Sequence, residues 1–469
     1  MKVTLRNLGP VNTAEVHIKP LTIFVGPNNS GKSFTASMLY ASLSPANLST
    51  SLPPQIIARQ LLRILGEEMV TSAVAFLADH RVSEMVSEDW PAEFREVFER
   101  AALFVLSDYA FSVATDLERI FGTEAADLRR MSFRQHVAGS LTIASDTPKW
   151  DIRIDFRAAG PSVHINSPRI DDVLPLVASR RWPKRARANP ELANITGYLR
   201  DFVGAVKAAI FANVPNHTKY LPAARSGLMH SHKVISGSLI RQSSRAGLQD
   251  MRIPAMSGVV TDFLSELIEI DAHYTGPFFP MARRLEDEVL HGTVQLEDVP
   301  SSSTEIMFHT VTGSYPLTRT SSMVSELAPV VVYLKSVLRE RDLLIIEEPE
   351  AHLHPETQVT LAEILVRLVN AGLKVLITTH SEFFLQQLNN SIVAGSVQHH
   401  KTPDLVDEKT AISASDVGVY LFAPTDRGTL AVEQALDERE GVPDVGFDLV
   451  SERLYNRNVE LDGWLDAEE

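Results

Sequence analysis

Gly26-Pro27-Asn28-Asn29-Ser30-Gly31-Lys32-Ser33 decides the reading of this chain. The eight residues fit the phosphate-loop pattern G-x-x-x-x-G-K-[ST] at every fixed position. The setting fits too. Leu21-Thr22-Ile23-Phe24-Val25 is a short apolar, β-branched run that predicts a buried strand, and Phe34 to Leu43 carries apolar residues at helical spacing. Between strand and helix, Gly26 and Gly31 let the backbone curl so that successive N–H groups face a phosphate at a helix N-terminus. Lys32 can then reach the outer phosphates, and the Ser33 hydroxyl can ligate Mg²⁺. Pro27, Asn28, Asn29 and Ser30 supply the rest of the cradle. The stretch predicts a nucleoside triphosphate site.

Four features further along belong with the loop. Leu343-Leu344-Ile345-Ile346-Glu347-Glu348 puts two carboxylates at the carboxyl end of an apolar strand, where α/β sheets bind ligands. One acid can hold Mg²⁺ directly or through water, and the next can orient or deprotonate an attacking water. The next predicted strand, Lys374 to His380, ends in a histidine able to hydrogen-bond a γ-phosphate or the lytic water. His352 and His354 form a His-x-His pair, for which metal ligation is the alternative to a structural role. Ser321-Ser322 at a predicted helix start can present hydroxyls and free N–H groups to an anion, or serve as an ordinary cap.

The chain of 469 residues is long enough for two or three domains, and with 44% hydrophobic and 22% charged residues it has the composition of a soluble globular protein. No apolar run approaches the ~20 residues of a membrane span, and Met1 to Arg6 alternates like a strand rather than a signal peptide, so a cytoplasmic location is expected. With no cysteine, disulfides, thiol catalysis and zinc–cysteine sites are excluded. The net charge of −15 argues against a generally basic nucleic-acid surface. Much of the excess lies in residues 431–469, which hold twelve Asp or Glu against three Arg. The densest basic run, Arg180-Arg181-Trp182-Pro183-Lys184-Arg185-Ala186-Arg187, leaves nucleic acid open as a partner; a solvated loop is the plainer reading.

The order of patterns divides the chain. Residues 1–45 contain strands and the phosphate loop; 46–137 read as a helical insertion; 138–230 carry a predicted hairpin (140–144 with 150–156), the basic loop and Lys219 to Gly227; 231–303 read as a second helical insertion; 304–432 return to strand–helix–strand; 433–469 form an acidic, partly helical tail. Lys32 and Glu347 lie too far apart for a minimal phosphate-loop domain, and the two helical regions account for the gap.

Taken together, these residues resemble the ABC-type ATPase heads of the OLD-like branch, a group related to SMC heads. The resemblance rests on residues 1–43, 138–168, 215–230 and 304–432. It implies an α/β fold, a mixed core sheet plus an antiparallel β subdomain, with two helical insertions. It makes Gly26 to Ser33 the Walker A motif, Glu347 the Walker B acid, Glu348 the catalytic glutamate, Ala351 to His354 a D-loop and His380 the switch histidine. Tyr220 to Arg225 is similar to the branch's Y-L-P-A-x-R segment, in the place of a Q-loop; the glutamine is missing, and Arg225 is the candidate substitute contact. Thr320 to Val324 resembles the LSGGQ signature, with Ser321 as its serine, Ser322 beside it and Met323 where glycine is usual. Such heads close head-to-head on ATP and Mg²⁺, which implies a homodimer, with higher oligomers open. Chains of this branch without a nuclease domain resemble ATPase subunits of anti-phage defence systems such as Septu or PARIS, implying a separate nuclease or toxin as partner and no membrane. A DNA repair or maintenance ATPase, and an assembly scaffold with little turnover, are the alternatives.

Overall fold

In the computed structural model of the protein, Leu21–Val25 and Leu343–Glu347 are buried at every position. Strands apolar on both faces need cover on both sides, which is the condition of a parallel core sheet. The structure describes residues 1–44, 51–79, 90–128, 138–158, 160–178, 192–231, 256–271, 274–297, 305–397, 409–437, 439, 441–443 and 452–461. The basic run 180–187 lies outside them, as do much of the second insertion and about half of the acidic tail.

Fourteen strands are described: β1 (Lys2–Leu8), β2 (Val11–His17), β3 (Leu21–Val25), β4 (Gly139–Asp146), β5 (Lys149–Arg157), β6 (Gly160–Asn166), β7 (Thr218–Leu221), β8 (Thr293–Glu297), β9 (Glu305–Thr310), β10 (Gly313–Pro316), β11 (Leu343–Glu347), β12 (Lys374–Thr378), β13 (Val417–Ala423) and β14 (Thr429–Gln434). The helices are α1 (Lys32–Ser42), α2 (Pro54–Leu65), α3 (Glu67–Asp79), α4 (Ala92–Phe121), α5 (Ala125–Leu128), α6 (Ile170–Ala178), α7 (Leu192–Ile210), α8 (Gly258–Glu269), α9 (Phe279–Leu285), α10 (Ser322–Ser336), α11 (Pro355–Asn370) and α12 (Glu382–Val397).

Eleven strands form one mixed sheet in the order β6-β5-β4-β1-β2-β14-β13-β3-β12-β11-β7. The part from β13 to β7 is parallel, and β12 lies between β3 and β11. The expected antiparallel strands, β6, β5, β4, β1 and β2, occupy one side of this sheet. They join the core through β2, which pairs antiparallel with β1 and parallel with β14. The alternation of side chains along the core strands sends Leu21, Ile23 and Val25 into one hydrophobic cluster and Phe24 into the other. Leu344 and Ile346 divide from Leu343 and Ile345 in the same way. The Phe24 cluster is covered by α1, α2, α4 and α7; the second cluster, which holds Leu21, Ile23 and Val25, is covered by α10, α11 and α12.

Three elements depart from the sequence reading. β6 adds a third strand to the predicted hairpin, at the sheet edge. Thr293–Glu297, inside the expected helical insertion, is a strand paired with β9 in a separate three-stranded sheet. Its T-V-Q-L-E alternation buries Val294, a period of two that the helical reading passed over. α12 follows His380 and was not read from the sequence at all.

Candidate active site

The carboxyl ends of three adjacent parallel strands, β3, β12 and β11, build the site. From β3 the chain enters Gly26 at φ 137°, a left-handed value open to glycine. A Cβ there would lie 2.5 Å from the Phe422 carbonyl on β13, so the loop packs directly against the neighbouring strand's backbone. Gly31, at φ 89°, begins α1 with no side-chain cap, leaving the helix's first N–H groups for an anion. Asn28, Asn29 and Ser33 are exposed, whereas Ser30 and Lys32 are buried.

Lys32 is turned back into its own loop. Its Nζ donates to the carbonyls of Gly26 and Pro27, each at 2.8 Å. Burial lowers its pKa to about 8, opposed by the negative charges of Glu348, Glu350 and Glu347. An anion at the loop offers the ammonium a better partner than two neutral carbonyls.

Glu347 ends β11 and is almost wholly buried. The Tyr220 hydroxyl donates to its Oε1 at 2.8 Å and the Ala223 N–H to its Oε2 at 3.0 Å. The Y-L-P-A-A-R segment beyond β7 thus fixes the carboxylate from the side. Burial, then the Glu347 charge, raises the Tyr220 pKa well above the ordinary phenol value, so the hydroxyl stays a donor. Each carboxylate oxygen keeps a further lone pair. With the exposed Ser33 hydroxyl, the donor set is hard oxygen, which fits a hydrated Mg²⁺ that takes one or two protein ligands and several waters. Among the described residues, no cluster of three or more His, Asp or Glu side chains suits a metal. The His-x-His pair is no exception: His354 caps α11 by accepting the Glu356 N–H at 3.4 Å, and His352 is exposed.

Glu348 has φ 44°, a left-handed conformation unusual for a residue with a side chain. Its N–H donates to the Thr378 carbonyl of β12 at 2.9 Å. His380 Nε2 lies 3.6 Å from Glu348 Oε1. Burial and then the Lys32 charge lower the His380 pKa, against the pull of Glu348. Glu350 lies two residues beyond Glu348. Its Oε1 accepts the Thr379 hydroxyl at 2.6 Å and the His380 N–H at 2.8 Å, so it ties the acidic segment to the histidine loop.

Arg225 and the Ser321 segment lie apart from the phosphate loop's own contacts. Arg225, expected among the nucleotide contacts, is fully buried. Its guanidinium donates to the carbonyls of Pro222, Glu326, Glu347 and Glu348, so it braces the site from beneath. Ser321 caps α10 by accepting the Val324 N–H at 3.4 Å, and Ser322 beside it is exposed. Met323 is half-buried against the second cluster, where it anchors the helix start. Among the described residues, no hydrogen bond or ion pair joins Ser321, Ser322 or Met323 to the phosphate loop of the same chain.

Residues 235–385 match the family model AAA_15, described as an AAA ATPase domain. That segment holds Ser321, both acids and His380, and covers roughly a third of the chain. No curated protein matches the sequence. Three solved structures are similar over most of their length. The SMC head bound to the C-winged helix domain of ScpA is 11% identical at a TM-score of 0.41, covering 93% of this chain and 98% of that one. The SMC head domain from Thermotoga maritima is 10% identical at 0.36, with the same coverage. An SMC head domain with an extended coiled coil, bound to the C-terminal domain of ScpA derived from Pyrococcus furiosus, is 11% identical at 0.38, covering 92% and 96%. These likenesses are remote. No helix among the described residues is long and apolar enough to cross a membrane.

Proposed function

We propose that this chain is an ABC-type ATPase head that binds ATP with Mg²⁺ and hydrolyses it. The observation that carries the reading is the convergence of Lys32, Glu347, Glu348 and His380 at the ends of three neighbouring strands, with Lys32 held by neutral carbonyls it can exchange for phosphate. Mg²⁺, when bound through Ser33 and Glu347, would neutralise charge on the phosphates. Lys32 leaves Gly26 and Pro27 and takes the outer phosphates. Glu348 orients the attacking water and accepts its proton, while the neutral His380 ring hydrogen-bonds the same water or the γ-phosphate.

Ser321 and Ser322 stand exposed at a helix start and, among the described residues, make no hydrogen bond to their own phosphate loop, which supports their acting on a second copy. The active form in this reading is a head-to-head homodimer with two ATP molecules. By the resemblance to OLD-like chains, the closed dimer is the sensor or regulatory part of an anti-phage complex, gating a separate nuclease or toxin. The experiment is turnover of MgATP by the purified protein, with sizing in ATP and in ADP. Turnover with an ATP-dependent dimer is expected; absence of both would sink the reading. Co-purification with the product of the neighbouring reading frame tests the effector.

A further inference from the structure

We propose that Arg225 and Glu326 are a positioning pair that sets the peptide carrying Glu348 and makes it answer to the start of α10; the proposal rests on the ATPase reading above. Both side chains are fully buried. Arg225 Nε lies 3.1 Å from Glu326 Oε2 and 3.1 Å from the Glu326 carbonyl. Its Nη1 donates to the carbonyls of Glu347 at 2.7 Å and Pro222 at 3.0 Å, and its Nη2 to that of Glu348 at 3.3 Å. The other Glu326 oxygen, Oε1, accepts the Ser226 N–H at 3.0 Å. One guanidinium therefore joins the exit of β7, the first turns of α10 and the end of β11.

The position of the contacts gives the pair its role. Arg225 holds the carbonyls of Glu347 and Glu348, and Glu348 is the residue at φ 44°. A left-handed residue with a side chain persists only where its surroundings over-determine it. Here the clamp is Arg225 on the two carbonyls and Thr378 on the Glu348 N–H. The direction of the Glu348 carboxylate follows from that peptide, so Arg225 aims the group without touching substrate. Glu326 sits one turn after Ser322 on a continuous helix, and any shift of the Ser321-Ser322 end reaches the Glu348 peptide through a rigid arm. A buried ion pair is weak evidence for stability, because well-packed apolar replacements of similar volume are often as stable. This pair's bonds go to functional backbone, which is where geometric specificity would be required.

The test uses Glu326→Gln, Arg225→Lys and the apolar double variant Arg225→Met with Glu326→Leu. The double variant avoids an unpaired buried charge and keeps the question answerable where a single variant unfolds. MgATP affinity, kcat, KM and the thermal midpoint are measured for each. The expected result is a folded double variant with MgATP affinity within about threefold of wild type and kcat down tenfold or more, since aim is lost while binding is kept. Arg225→Lys, which reaches fewer carbonyls, should fall between. Wild-type kcat in the folded double variant would overturn the pair's role while leaving the ATPase reading intact. A parallel loss of kcat, affinity and thermal midpoint would also overturn it, marking the pair as structural only. A wild-type protein without turnover would remove the ATPase reading itself, and the pair's role with it.

Discussion

His380 Nε2 and Glu348 Oε1 face each other at 3.6 Å across the ends of two neighbouring parallel strands. The separation is slightly longer than a hydrogen bond, so a shared water or phosphate oxygen can draw the two together. Glu348→Gln keeps the shape and removes the base. It should lower kcat by about 10²–10⁴-fold and leave ATP bound, trapping the dimer by size-exclusion chromatography in MgATP. Turnover at the wild-type rate would remove Glu348 from its role.

Lys32→Ala should lose ATP binding. Charge-assisted hydrogen bonds contribute roughly 1.5–3 kcal/mol, so affinity for a fluorescent ATP analogue should fall by at least about 10–100-fold. The fold should survive, because in the free loop Lys32 bonds only nearby groups of that loop.

The pH response follows from His380. Burial and Lys32 hold its pKa below the ordinary value of about 6.5, so the ring is neutral at pH 7. Protonation then favours the unfolded chain, and the associated stability is lost as pH falls through about 6.5 towards the lower folded value. Turnover should be flat on the neutral side and decline below that point. A midpoint above about 7 in a kcat profile would show a different group in control.

Tyr220→Phe deletes one donor to Glu347 and nothing else of comparable polarity than a long contact to Ser37. Removing such outer partners of a metal ligand typically costs 10–100-fold in metal affinity. The Mg²⁺ concentration giving half-maximal turnover should rise about tenfold, with ATP affinity at saturating Mg²⁺ little changed.

Glu350→Ala leaves the His380 N–H and the Thr379 hydroxyl without their acceptor. Urea unfolding should show a loss of about 1–3 kcal/mol, the range for a buried group left unsatisfied. No change in stability would mean that the histidine loop is held elsewhere.

The strands of the core and the phosphate loop were legible because β3, β11 and β12 are short, apolar and bounded by polar or glycine residues, and the acids abut one of them. What stayed hidden depends on three-dimensional neighbours. Arg225 reads in the sequence as a cation beside a ligand loop; that it faces carbonyls is set by β7 lying next to β11. Glu350 was visible in the run Glu347-Glu348-Pro349-Glu350, but its work depends on a loop thirty residues on. β8 was missed because five alternating residues beside a helical stretch are a weak signal. The continuity of the sheet could not be read at all, since β2 and β14 come from opposite ends of the described chain.

The pairing of β3 has a consequence for synthesis on the ribosome. Its two neighbours are β12 and β13, which end at Thr378 and Ala423, so the loop it carries is made long before either of them. At about 5–20 residues per second, the nascent loop waits on the order of 20–80 s for the strands that flank it. During that interval Leu21–Val25 is an apolar segment without hydrogen-bonded neighbours on either side, open to chaperones or to misassociation. The phosphate loop leaves the ribosome well before the strands that complete its surroundings.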